Sequence, residues 1–266
     1  MLSSFTHFFV QNQESRELLA TISFTENVTV NGDTRFDRVL EIANTFQPVP
    51  FITEFCGNHN VIVAGSTWEE DEIELLHFVN VHQEIKCIIA PHEIDKTNLH
   101  DVKDEFPNSI FYSDLSTVAS AKVDNPHAPA NEQQTTANEQ RSKPNVLIID
   151  NIGMLSRLYK YATVTYIGGG FGADGVHNVL EAAVYGKPVV FGPVYEKFAE
   201  AIGLIDAGGA VSINGPVALE SVLNKLLHDA GERKRMEEAA RQYVYEHAGA
   251  SKKIIQFIQE KRLLTN

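Results

Sequence analysis

The segment from Tyr166 to Pro193, YIGGGFGADGVHNVLEAAVYGKPVVFGP, limits what this chain can fold into more than any other. An apolar run, Val164 to Ile167, ends in three glycines, Gly168, Gly169 and Gly170, with Gly172 and Gly175 close behind. Asn178-Val179-Leu180-Glu181 then opens a helical pattern carried by Leu180, Ala183 and Val184. Gly186-Lys187-Pro188 stops that pattern, and Val189-Val190-Phe191 runs on to Gly192-Pro193. The order is strand, glycine loop, helix, turn, strand. Glycines let backbone N–H groups approach a ligand closely. The first turn of a helix presents unpaired N–H groups and the positive end of its dipole. Together they describe a site for a phosphate or carboxylate. The glycine spacing fits G-x-G-x-x-G poorly, and no Lys-Ser/Thr pair follows the loop. Neither a dinucleotide fingerprint nor a Walker A loop is therefore indicated.

The same alternation recurs upstream and downstream. Strands are predicted at 5–10, Val28 to Val30, Asn60 to Gly65, Ile85 to Ala90 and Val146 to Asp150, with Phe111-Tyr112 a short edge strand and Ala210 to Ile213 the last. Helices are predicted over 11–20, 35–43, 69–79, 96–105, 155–161, 195–207, 217–229, 232–246 and 251–264. Ser66 or Thr67 is a natural N-cap for the helix that opens with Glu69 and Glu70, acids suited to a first turn. Gln47-Pro48-Val49-Pro50 reads as extended, a linker or a domain entry. From Val61 onward strands and helices alternate, which is the pattern of a doubly wound, Rossmann-like parallel α/β sheet. Ligands of such sheets lie beyond the carboxyl ends of the strands. Those ends are Gly65–Glu69, Pro91–Glu93, Asp150–Met154, Gly168–Glu181 and Gly192–Tyr195, and the unusual polar chemistry of the chain sits in them.

Bulk properties exclude some functions. A net charge of -13 argues against a nucleic-acid binder. Cys56 and Cys87 lie in apolar surroundings without metal-ligand neighbours and read as buried free thiols of a reducing compartment. No apolar stretch has the length of a membrane span, and no signal-peptide pattern follows Met1. Phe8-Phe9-Val10 reads as a strand already inside a fold, so the chain is expected to be the back part of a longer protein. Residues 124–144 are rich in Asn, Gln, Thr, Ala and Pro, and Ala130-Asn131-Glu132-Gln133 recurs as Ala137-Asn138-Glu139-Gln140. That composition predicts a disordered, dispensable loop.

Several segments, in this order, resemble the C-terminal part of the 3-deoxy-D-manno-octulosonic acid (Kdo) transferases. They are Gly32-Asp33-Thr34-Arg35-Phe36-Asp37, Ser66-Thr67 with Glu69-Glu70, Pro91-His92, and Ile152-Gly153-Met154-Leu155 with Leu158-Tyr159. The most specific are Gly168-Gly169 through His177-Asn178, Glu181, Gly186-Lys187-Pro188 and Phe191-Gly192-Pro193. The resemblance covers nearly the whole chain outside the low-complexity segment. It implies the C-terminal domain of a two-domain GT-B glycosyltransferase that moves Kdo from CMP-Kdo onto a lipid A precursor in lipopolysaccharide biosynthesis. It further implies an N-terminal domain with the acceptor site, a membrane-associating segment and the catalytic carboxylate, at the cytoplasmic face of the bacterial inner membrane. On that basis residues 1–32 are the end of the acceptor domain and its crossover, 33–250 the donor domain and 251–266 a C-terminal helix. The resemblance places no catalytic residue, no metal and no cofactor in this chain, which alone would be a soluble, inactive fragment.

Carried over by motif, the CMP-binding positions are Pro91, His92, Ile152, Gly153, Met154, Asn178, Val179, Leu180 and Glu181, with Ser66, Thr67, Gly169, Gly170 and His177 as further donor contacts. The chain departs from the family at His92, where an arginine is common, and at Met154, where glutamate is common. Structural readings stand beside several of these. Asn178-x-x-Glu181 is also a capping box, Ser66 and Thr67 are also N-caps, His177 is also a plain loop histidine, and Arg35 with Asp37 is a structural pair at the domain junction. Two readings of other kinds remain: another GT-B nucleotide-sugar enzyme, such as a UDP-sugar transferase or 2-epimerase, and a non-catalytic nucleotide-binding module.

Overall fold

The computed structural model describes residues 2–115 and 143–263. The low-complexity loop expected at 124–144 lies, except for its last two positions, outside them, as do the last residues of the chain.

Among the described residues two sheets form, both parallel. The first pairs β1 (Phe8–Val10) with β2 (Val28–Val30) across helix α1 (Gln13–Thr21), whose N-cap Asn12 accepts the Ser15 N–H. Helix α2 (Thr34–Asn44) and the short α3 (Ile52–Cys56) lead into the second sheet. α3 follows the stretch read as extended, 47–50, and was not expected: its two buried apolar residues, Ile52 and Cys56, are too few to show a period.

The large sheet has seven strands: β3 (Val61–Thr67), β4 (Lys86–Pro91), β5 (Ser109–Phe111), β6 (Val146–Ile148), β7 (Val164–Ile167), β8 (Val189–Phe191) and β9 (Ala210–Ser212). Their spatial order is β5-β6-β4-β3-β7-β8-β9. The sheet therefore winds one way from β3 through β4 and the other way from β7 through β9, and its topological switch point lies between β3 and β7.

Each face of the sheet has its own core. Along β3, Val61 and Val63 point to one side, with Phe36, Leu180, Leu204 and Tyr243, while Ile62 and Ala64 point to the other, with Leu75, Phe78 and Leu223. Burial on both faces explains why these strands read as unbroken apolar runs. Helices α4 (Glu69–Val81), α5 (Lys96–Glu105) and α9 (Pro216–His228) cover the second side. α2, α6 (Leu155–Leu158), α7 (Leu180–Ala183), α8 (Ala199–Asp206) and most of α10 (Ala230–His247) cover the first. This is the doubly wound α/β fold expected from the alternation.

The Gly32–Asp37 motif is a staple. Asp33 caps α2 through the Arg35 N–H, and Arg35 forks onto buried Glu200 of α8 at 2.6 and 2.9 Å. Asp37 does not pair with Arg35, contrary to expectation. Its two oxygens accept the N–H groups of Gly249 and Ser251, at the start of α11 (Ala250–Glu260). The open helix start outcompetes the guanidinium, which Asp33 and Glu200 already satisfy. α11 packs back on the small sheet, where Phe257 meets the rings of His7 and Phe9.

Candidate functional site

Four strand ends converge at the switch point. β3 continues into Ser66, whose φ of 54° is left-handed, an uncommon and strained state for a residue with a Cβ. The chain then enters α4 through Trp68. Neither Ser66 nor Thr67 caps that helix. Trp68 is the N-cap, its N–H bound by Asp71 Oδ2 at 3.0 Å, and the Thr67 hydroxyl donates instead to Glu72 at 2.7 Å. The extra left-handed residue moves the cap beyond both hydroxyls.

Asp71 is fully buried and binds two segments together. It accepts the Gly169 N–H at 2.7 Å, the Trp68 N–H and the Tyr166 hydroxyl at 2.8 Å. Burial raises its pKa, and the three hydrogen bonds pull it back. Burial also raises Glu72, to about 7.

The glycines of the loop serve close backbone packing first. A Cβ on Gly168 would stand 2.2 Å from the Ser66 carbonyl oxygen, and one on Gly170 would stand 2.5 Å from the Gly192 nitrogen. The ends of β3, β7 and β8 thus meet backbone to backbone. Gly169, expected to offer its N–H to a donor, has that N–H committed to Asp71.

Above this floor lies a ladder of rings from three different strand ends. Trp68 stacks on His92 at 4.4 Å, and His92 on His177 at 4.6 Å with 19° between planes. Trp68 Nε1–H donates to His177 Nε2 at 3.1 Å. An indole nitrogen only donates, so His177 Nε2 carries no proton and the neutral ring holds its proton on Nδ1. Burial lowers the pKa of His177, and neighbouring His92 lowers it further. Beside the ladder a cavity of about 160 Å³ is lined by Trp68, Glu70, Gly169, Gly172, Ala173 and Asp174. A larger cavity, about 450 Å³, lies at the β5 edge, lined by Lys96, Leu99, His100, Phe111 and Asp150.

The other predicted positions divide by burial. Pro91 ends β4 and is buried, while His92 is exposed. In the loop after β6, Ile152 is 88% exposed, Gly153 is exposed and Met154 turns into the core. Val179 and Leu180 are fully buried, so contact with a ligand through them would be by backbone. Asn178 stands just before Val179, the N-cap of the short α7; its side-chain oxygen accepts the Leu180 N–H and its amide donates to Glu181 at 3.2 Å. Glu181 is half-buried, which raises its carboxyl pKa. Trp68, Asp71 and Tyr166 were not singled out from the sequence. The chain's one tryptophan at a strand end was the available signal; nothing in the local pattern marks Asp71 apart from its acidic neighbours. Among the described residues no cluster of three or more His, Cys, Asp or Glu could hold a metal ion, and no helix is long and apolar enough to cross a membrane. Both cysteines are buried free thiols.

Comparison with solved structures places the fold. Over 79% of this chain and 97% of the other, it matches the C-terminal CMP-Kdo binding domain of WaaA from Acinetobacter baumannii, with a TM-score of 0.54 and 16% identity. It also matches the S. aureus MnaA–UDP structure over 98% of this chain and 60% of that one, with a TM-score of 0.59 and 15% identity. No family model matches the chain. Among curated proteins, it is 28% identical to a bifunctional glycosyltransferase/methyltransferase of Fusobacterium nucleatum over 72% of this chain and 28% of the relative. It is 34% identical to the 3-deoxy-D-manno-octulosonic acid transferase of Bordetella pertussis over 43% of this chain and 27% of the relative. To the same enzyme of Rickettsia bellii it is 25% identical over 92% of this chain and 54% of the relative. The chain spans from about a quarter to about half the length of these relatives. It has a GT-B-type fold and is similar in sequence to the 3-deoxy-D-manno-octulosonic acid transferases.

Proposed function

We propose that this chain is the donor-binding part of a Kdo transferase, holding CMP-Kdo while Kdo passes to a lipid A precursor. The observation that carries the reading is the convergence, at one switch point, of the strand ends bearing the resemblance. In this reading Pro91, His92 and the 152–154 loop border the cytidine, and Glu181 accepts a ribose hydroxyl, held in place by Asn178. The leaving phosphate is stabilised by oriented donors rather than by a metal. The loop contributes fewer of these than its glycine content implied, since Gly169 is engaged and α7 is a single turn.

Residues 1–32 and α11 belong, in this reading, to the junction with an acceptor-side domain. That domain would supply the carboxylate that deprotonates the acceptor hydroxyl and the association with the inner membrane. Transfer by this chain alone is not expected. The fold is shared with UDP-binding enzymes, and the base decides between the two readings. Calorimetric titration should show CMP bound in preference to UMP, with Asn178→Ala and Glu181→Ala each weakening CMP about tenfold. Equal or tighter binding of UMP would favour the UDP-sugar reading; unaltered binding by both variants would remove α7 from the site.

A further inference from the structure

The cavity beside the glycine loop has the wrong charge for its expected ligand. Glu70 and Asp174 line it, no lysine or arginine does so among the described residues, and the chain carries a net charge of -13. Gly169, also in its wall, touches His177: a Cβ there would meet the ring at 2.8 Å. His177, next to Gly169, and His92 stacked on it can carry positive charge beside this wall. We propose that the His92–His177 stack is the anion contact of the cleft, and that it binds the phosphate of its nucleotide as a monocation, taking up one proton as the ligand arrives. The proposal rests on the donor-site reading above.

The geometry argues for one proton, not two or none. The rings lie face to face at 4.6 Å, so a second positive charge would repel the first at close range. Without a ligand His177 is favoured neutral, because its Nε2 already accepts from Trp68 and burial opposes its charging. Trp68 and Asp71, at the start of α4, and Asp174, from the glycine loop, act on the pair; Glu70 lines the neighbouring cavity, and Glu93 follows His92 in the chain. Of these, Asp71 is spent on Gly169, Trp68 and Tyr166. An incoming phosphate changes the balance. One solvent proton adds to the stack, and its charge is paired with the phosphate oxygens.

The test uses the whole chain and the methyl ester of CMP. The phosphodiester keeps a single charge, whereas a phosphomonoester itself titrates near pH 6, about the histidine range. Calorimetry at pH 6 and pH 8, in buffers of different ionisation enthalpy, reads both affinity and proton uptake. Near one proton is expected to be taken up above the histidine range, with affinity falling about tenfold per pH unit there. Cytidine, lacking phosphate, should bind without pH dependence. His92→Phe keeps a ring in the stack and should abolish the proton uptake. Proton resonances of the wild-type imidazoles should shift to a higher pKa with ligand, a readout that does not depend on the variant folding. Ester binding that is equal at both pH values without proton uptake overturns the proposal and leaves the donor site standing. Failure of ester and cytidine alike to bind at either pH overturns both.

Discussion

At the scale of single residues, the acids under the site do more structural work than their neighbours on the surface. Glu72 is 2% exposed and its pKa is raised to about 7 from an unfolded value of 4.5. The folded state therefore holds more protons than the unfolded one between those values, and stability is lost as pH rises through that window. Glu72→Gln, which can still accept from Thr67, should raise the melting temperature at pH 8, correspond to about 1–3 kcal/mol, and flatten the profile between pH 5 and 8. A variant no more stable than wild type at pH 8 would contradict this. Asp71→Asn offers one acceptor oxygen where two now serve three donors. It should cost about 2 kcal/mol in denaturant unfolding and expose the Gly169 amide to hydrogen exchange. The chain pattern could not separate these two from Glu69 and Glu70, because first-turn acids look alike in sequence; burial distinguishes them, and burial depends on Tyr166 and Thr67 from other segments.

Among the elements, strands were legible as apolar runs, and helices by their period and their caps. The start of α5 after Asp95, whose side chain accepts from Thr97 and Asn98, is one case. Less legible were places where a few residues turn on contacts from far away. The cap of α4 moved to Trp68 because Ser66 adopts a left-handed conformation against Gly168. The helix after the glycine loop is the single turn Leu180–Ala183, and the residues from there to the stop at Gly186 form turns instead of a second turn of helix. The glycine loop was read as a ligand cradle, and part of its glycine content answers to packing. Gly170→Ala tests this. Its Cβ would overlap Gly192 backbone, and loss of about 2–3 kcal/mol is expected with no ligand present. Stability equal to wild type would return that glycine to a purely ligand-facing role.

For the molecule as a whole, the Gly32–Asp37 staple joins α2, α8 and α11, so the small sheet and the large one are held at a shared set of charged contacts. Arg35→Met leaves Glu200, 6% exposed, without its guanidinium. Because Arg35 is itself 44% exposed, the loss in thermal or urea unfolding should be about 2 kcal/mol, below that of a fully buried pair; no loss would assign the motif elsewhere. The strand order has a further consequence, in time rather than in energy. β3, at the centre, takes β7 as its second neighbour, and Val164 pairs with Ile62 about a hundred residues after it is made. During synthesis the middle strand must wait, one edge open, until the ribosome has passed Ile167 and released the segment that closes it. Interruptions before that point leave a half-sheet with an apolar edge and a chaperone client, while interruptions after Phe191 leave β3, β7 and β8 able to pair. The glycine loop thus sits where the chain first becomes able to complete its centre.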